Sequence, residues 1–157
     1  MTTVGLAPPR SEEDWWQARR LIETYVAALG LDLGFQGLAR ELEELRTVYG
    51  PPAGAFLLAQ AGGRQIGCVG LRQFAPGDGE IKRLYVDPAA RGLGVGRLLA
   101  EAIVAEGRRL GYTRLLLDTL PSMGAAQALY ASLGFRPVPA YRYNPLPGTV
   151  YLELRLR

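Results

Sequence analysis

The chain has no histidine, one cysteine (Cys68) and one lysine (Lys82) among its 157 residues. Without imidazole, a Ser-His-Asp or Cys-His nucleophile, a His-bearing zinc site and imidazole proton transfer are excluded within this chain. A lone cysteine cannot close an internal disulfide or build an all-cysteine zinc site. No apolar run approaches the roughly 20 residues of a membrane span. The first ten residues lack the charged start and apolar run of a secretory signal, so a cytoplasmic protein is expected. Charge of one sign is also scarce: 18 Lys+Arg against 15 Asp+Glu leave +3, and the basic residues are scattered. That pattern gives no footprint for nucleic acid. Carboxylates, tyrosines, backbone dipoles or an organic cosubstrate remain to carry any chemistry.

A length of 157 residues suits a single domain over 1–157, large enough to bury a core. Thr2–Leu6 reads as a short first strand before Pro8 and Pro9. Ser11, followed by Glu12, Glu13 and Asp14, opens a helix that runs through Trp15, Ala18, Ile22 and Val26 and stops near Gly30. A second helix is expected over Phe35–Val48, with Leu38, Leu42 and Leu45 on one stripe and Pro51 and Pro52 beyond its end. Strands follow at Ala55–Ala61, Gln65–Phe74 and Glu80–Val86, joined by short turns into an antiparallel meander. Alternation along the last of these puts Glu80 and Lys82 on one face and Ile81, Arg83 and Tyr85 on the other.

A glycine-rich turn then leads into a helix striped by Val95, Leu98, Leu99, Ala102, Ile103 and Leu110. Arg114–Asp118 reads as a buried strand, and a strand–helix–strand unit of this size implies parallel pairing of the fourth and fifth strands. Met123–Leu133 forms a further helix ended by Gly134, and Thr149–Leu156 a last strand with Val150, Leu152, Leu154 and Leu156 on one face. The fold class is therefore α+β: a mixed sheet of six to seven strands, a meander followed by one parallel crossover, with helices on both faces. Dimerisation through the last strands is compatible with this pattern, as is a monomer. Cys68 falls among Gly67 and Val69 in the third strand and reads as core.

The glycine turn, Arg91-Gly92-Leu93-Gly94-Val95-Gly96-Arg97, sits where a helix start adds about half a positive charge, so a phosphate is its natural guest. A P-loop needs Gly-Lys-Ser/Thr, but Gly96 is followed by Arg97 and Leu98. A dinucleotide fingerprint started at Gly92 or Gly94 would need its last glycine at Arg97 or Leu99, and both registers fail. Arg-x-x-Gly-x-Gly fits, at Arg91, Gly94 and Gly96. With the strand Glu80–Val86 before it, and with Leu129-Tyr130 and Gly134-Phe135 after it, the chain resembles the GCN5-related N-acetyltransferase (GNAT) family.

That resemblance implies acetyl-CoA as cosubstrate with no metal, its pyrophosphate held by the backbone of Arg91, Gly92, Leu93, Gly94, Val95, Gly96 and Arg97. It implies that the edge at Leu84, Tyr85 and Val86 pairs with pantetheine, and that the Val86 or Tyr85 amide donates to the acetyl carbonyl. Tyr130 matches the family tyrosine that protonates the departing thiolate, and Glu80 a position where several members carry a carboxylate base. Met123 stands where many members have asparagine, so that side-chain contact is lost. An acceptor site walled by Tyr141-Arg142-Tyr143-Asn144-Pro145 and by Tyr25, Phe35 and Tyr49 would suit a small amine bearing a carboxylate. The implied activity is transfer to a primary amine, of a small molecule or peptide, by direct attack in a ternary complex. A non-catalytic acyl-CoA-binding module would share the loop without needing Glu80 or Tyr130.

Overall fold

A computed structural model describes residues 3–34 and 37–156. Seven strands form one mixed sheet in the order β1-β2-β3-β4-β5-β7-β6. They are β1 (Gly5–Ala7), β2 (Ala55–Ala61), β3 (Arg64–Ala75), β4 (Asp78–Val86), β5 (Arg114–Thr119), β6 (Arg136–Pro137) and β7 (Val150–Arg155). Pairing is antiparallel except between β4 and β5, the parallel pair that the crossover requires. Among the described residues five helices accompany it: α1 (Glu12–Leu29), α2 (Leu38–Glu43), α3 (Leu45–Val48), α4 (Val95–Arg109) and α5 (Gly124–Ser132).

Local chemistry explains the ends of α1. The Ser11 side chain accepts from the Asp14 amide, three acids fill the first turn, and Gly30 closes the helix at φ 64°. Strand alternation divides the core between the two faces of the sheet. Phe56 and Leu58 of β2 pack with Ala18, Leu21 and Ile22 of α1, whereas Leu57 and Ala59 pack with Val95, Leu99 and Ile103 of α4.

Three expectations are corrected. The second helix is broken at Glu44 (φ −118°, ψ 30°) into α2 and α3, and Phe35, its expected start, lies outside the described residues, as does Thr2 of the expected first strand. A two-residue strand, β6, appears where none was expected. In β4 the alternation breaks at Arg83, whose φ is 62°. Lys82 pairs with Gly70 and Tyr85 with Cys68, so two residues of β4 face the single Val69 of β3. This bulge reverses the phase of the strand. Ile81, Leu84 and Val86 therefore share the α4 face, Tyr85 turns to the α1 face, and Arg83 reaches Glu41 of α2.

The bulge is also where the sheet opens. β4 and β5 pair only through Asp78–Arg114, Gly79–Leu115 and Glu80–Leu116. Beyond that point β5 stays with β7 to Thr119, while β4 runs to Val86 beside β3. The two parallel strands splay apart at their carboxyl ends, the place where a crossover fold offers a crevice.

Candidate active site

The splay is occupied by a narrow cleft, open to solvent and walled by four elements. β4 contributes Lys82 and Leu84, β5 contributes Asp118 and Thr119, α1 contributes Tyr25 and α5 contributes Tyr130. Each arrives there for a local reason. Tyr130 is the buried residue of α5; it packs edge-on to Phe135 with ring centroids 5.4 Å apart and lines the cleft. Burial, with a smaller contribution from Tyr25, pushes the Tyr130 phenol well above the ordinary tyrosine range, so it stays protonated at neutral pH. Tyr25 is pushed up by burial to about 12.

Lys82 and Asp118 face each other across the splay with Nζ and Oδ1 4.0 Å apart, side chains 3% and 8% exposed. Burial lowers the lysine to about 8, against the attraction of Glu80 and Asp118. The other oxygen of Asp118 accepts from the Asn144 amide at 3.2 Å. Asp118 is the one carboxylate among the described residues that line this cleft. Neither Lys82 nor Asp118 stood out as a site residue in the sequence. The available signal was a charge at the end of a strand otherwise made of leucines, Arg114-Leu115-Leu116-Leu117-Asp118.

Glu80 is fully buried at 0% exposure, so it is no exposed strand-edge charge. Its Oε1 accepts from Arg72 (3.1 Å) and Arg142 (2.8 Å), and its Oε2 accepts from the Tyr141 hydroxyl (2.8 Å). Both oxygens are engaged, and Glu80 does not belong to the cleft wall, although Ile81 and Lys82 beside it do. Met123, at the position where asparagine was expected, lines the cleft and accepts through sulfur from the hydroxyls of Tyr25 (3.8 Å) and Thr119 (3.6 Å). Of the aromatic residues expected to wall an acceptor site, Tyr25 lines the cleft. Tyr49 is core, donating its hydroxyl to Glu41, and Tyr143 is 76% exposed.

Beyond the end of β4, Asp87 caps a single 3-10 turn over Pro88–Ala90, and the chain then makes the glycine turn into α4. Arg91 Nε donates back to the Val86 carbonyl at 3.2 Å, tying the loop to the end of β4. Gly92 and Gly94 adopt φ of 84° and 79°, a region that glycine enters without penalty. Gly94 is the N-cap of α4 and carries no side chain to cap it, and no acid lies in the first turn. The start of this 15-residue helix is thus left electropositive, with its first amides directed outward. Gly96 needs no unusual backbone, and a Cβ there would meet Leu129 and Val86 only at an ordinary 3.8 Å. The fold itself does not demand that glycine. Close approach of an external anion would.

Leu93 is 67% exposed over the loop, and Arg97 is tied to Glu101 (3.2 Å) and to the Ser132 hydroxyl (2.6 Å) of α5. Leu84 reaches the cleft, while Tyr85 packs on the α1 side. The geometry therefore gathers a strand edge, a phenol and a carboxylate–ammonium pair around one crevice, and the uncapped start of α4 follows from the end of that same strand.

Comparison with known proteins agrees with this arrangement. An uncharacterized N-acetyltransferase of Schizosaccharomyces pombe is 37% identical over 99% of this chain and 96% of its own length. An IAA acetyltransferase of Azospirillum brasilense is 36% identical over 85% of this chain and 87% of its own. Among solved structures, a putative acyl-CoA N-acyltransferase of Klebsiella pneumoniae superposes with a TM-score of 0.75 at 28% identity, covering 100% of this chain and 99% of that one. The sequence profile of the Acetyltransferase (GNAT) family matches residues 14–135, from α1 through the strand splay to the end of α5. With its splayed parallel pair and glycine-led fourth helix, this chain belongs to the GNAT family of acetyltransferases.

Proposed function

We propose that this chain, acting as a single domain, transfers an acetyl group from acetyl-CoA to a primary amine by direct attack in a ternary complex. One observation carries the reading: the unpaired edge of β4 at Leu84–Val86 runs from the glycine turn to a cleft lined by Tyr130. The amides of Arg91–Arg97 would hold the pyrophosphate, and a side chain at Gly96 would stand in its way. The Tyr85 or Val86 amide would donate to the thioester carbonyl, where negative charge grows as the amine attacks.

Asp118 is placed to receive the acceptor's ammonium, and Lys82, in its neutral form near pH 8, is a proton acceptor beside it. As the amine nitrogen bonds to the carbonyl carbon and the C–S bond breaks, Tyr130 gives its phenolic proton to the departing sulfur, and the proton the nitrogen sheds on becoming an amide restores the phenol. Glu80, the base implied by the family resemblance, is assigned a positioning role instead: three donors occupy its oxygens. Direct attack also accords with the one thiol of the chain. Cys68 is fully buried, donates to the Arg83 carbonyl at 3.3 Å, and burial pushes it well above the ordinary thiol range.

The test is free-thiol release from acetyl-CoA with a panel of primary amines. Tyr130→Phe should lower kcat by about 10²-fold or more, the scale of general acid catalysis, with little change in KM for acetyl-CoA. A fully active Tyr130→Phe enzyme would refute the acid role. Tight CoA binding with no thiol release across the panel would instead identify a binding module.

A further inference from the structure

We propose that Arg72 and Arg142 form a subsite for a carboxylate carried by the acceptor, so that the substrate is an amine bearing an acid group. This rests on the acetyl-transfer reading and names its substrate class. Around β4, Arg83 is balanced by Glu41 and Lys82 by Asp118, but Arg72 and Arg142 share one carboxylate, Glu80, and even one oxygen of it. The cluster carries one uncompensated positive charge at side chains that are each 20% exposed.

A second observation is independent of that count. Arg142 Nε is buried and has no hydrogen-bond partner among the described residues, an uncommon state for a guanidinium. Its plane is held against the rings of Phe74 (5.4 Å) and Tyr141 (5.7 Å), and Tyr141 is itself fixed by its bond to Glu80. Both arginines line one solvent-open hollow beside Phe74, Pro51 and Pro52, and no acidic residue lies in its wall. An aromatic-braced guanidinium that is partly exposed and shares its one carboxylate with a second arginine is a preorganised receptor for a planar carboxylate. One missing charge matches a carboxylate better than a phosphate ester, which carries close to two.

The hollow and the cleft share no lining residue. They are linked through β4, where Glu80, which grips both arginines, stands two residues from Lys82, about 7 Å of strand. An acceptor that engages both must separate its amine and carboxylate by at least about that length. Glu80 then holds the two arginines in place, which accounts for its complete burial without a proton-transfer role.

The decisive experiment compares matched acceptors: 6-aminohexanoate, its carboxamide, hexylamine and an aminoalkyl phosphate of the same length. In the wild type, KM for the carboxylate should be at least tenfold below that of the carboxamide and of the phosphate, with similar kcat. In Arg142→Gln the carboxylate-to-carboxamide preference should collapse towards unity, and Arg142→Lys should restore part of it. Equal KM values for carboxylate and carboxamide in the wild type would overturn the proposal whether or not the variants fold. So would an undiminished preference in Arg142→Gln, or a phosphate bound more tightly than the carboxylate. If no amine is acetylated at all, the acetyl-transfer reading fails and the subsite is judged by calorimetry in the presence of CoA. A tenfold tighter Kd for 6-aminohexanoate than for its carboxamide supports it, and equal binding overturns it.

Discussion

Replacing Glu41 by glutamine tests what holds the fourth strand in its bulged form. Arg83 occupies a positive φ that costs a residue with a side chain roughly 1–2 kcal/mol, and it persists because its guanidinium is clamped. Glu41 accepts from Arg83 Nε at 2.9 Å and from its Nη2 at 2.8 Å, and from the Tyr49 hydroxyl at 2.8 Å. The two charged side chains are only 3% and 2% exposed. Glutamine keeps the shape but leaves a buried guanidinium without its counter-charge, and it turns an amide N–H₂ towards another donor. Breaking one side of a buried pair costs about 3–5 kcal/mol, a large share of the 5–15 kcal/mol that a domain has. For a chain of this size that is a fall of roughly 6–20 °C in Tm.

Urea denaturation at pH 7 measures the loss, and a pH series identifies its origin. Burial alone would raise the Glu41 carboxyl, but the hydrogen bonds and charge of Arg83, with Tyr49, outweigh it and hold the group below the ordinary glutamate range. A depressed carboxylate contributes stability that is complete above the unfolded-state pKa of about 4.3 and is lost as pH falls through the folded value. The difference between wild type and Glu41→Gln should therefore be constant from pH 7 to about 5 and shrink below pH 4. A loss under about 1 kcal/mol at pH 7, or one that stays constant down to pH 3, would refute the clamp.

One further substitution and one labelling probe follow from the same geometry. Gly96→Ala should raise Tm, because alanine is favoured over glycine in a helix by roughly 1 kcal/mol and its Cβ meets only ordinary contacts, yet it should raise KM for acetyl-CoA several-fold; unchanged KM would remove the loop from the pyrophosphate site. Cys68 should resist a thiol-specific chromogenic reagent at pH 8 in the native protein and react once on unfolding in urea; prompt native labelling would contradict its complete burial.

Much of this architecture was legible where a local rule and the global fold agree. β2 spans the seven residues its apolar run marked, and Ser11 and Gly30 end α1 as capping chemistry requires. The break at Glu44 was hidden because Leu38, Leu42 and Leu45 keep helical spacing across it. A continuous helix would set Glu41 and Tyr49 about 12 Å apart along its axis, whereas the broken one brings hydroxyl and carboxylate to 2.8 Å. A tertiary contact overrode the periodicity. The glycine turn was legible as an anion site because its signal is carried by consecutive residues. The environment of Glu80 was not, since its partners Tyr141 and Arg142 lie more than 60 positions away, outside any local pattern.

Departures from strand alternation gather where a strand is bent to build a site. Alternation assumes a regular strand, and one residue at positive φ is enough to exchange the faces of everything beyond it. No glycine marks the bulge, since the residue there is Arg83. Yet the composition of the strand held a warning. A strand covered on both faces ordinarily reads as apolar, but Glu80, Lys82 and Arg83 fall within four residues of one another, each 6% exposed or less. Burying three charges in the middle of a sheet is unfavourable unless each meets a partner, and meeting Arg72, Arg142, Asp118 and Glu41 requires the strand to bend. The bend in turn parts β4 from β5. The same charges that break the strand's regularity thus open the cleft in which the chemistry is proposed to occur, and dense charge in a central strand marks that strand as the floor of a site.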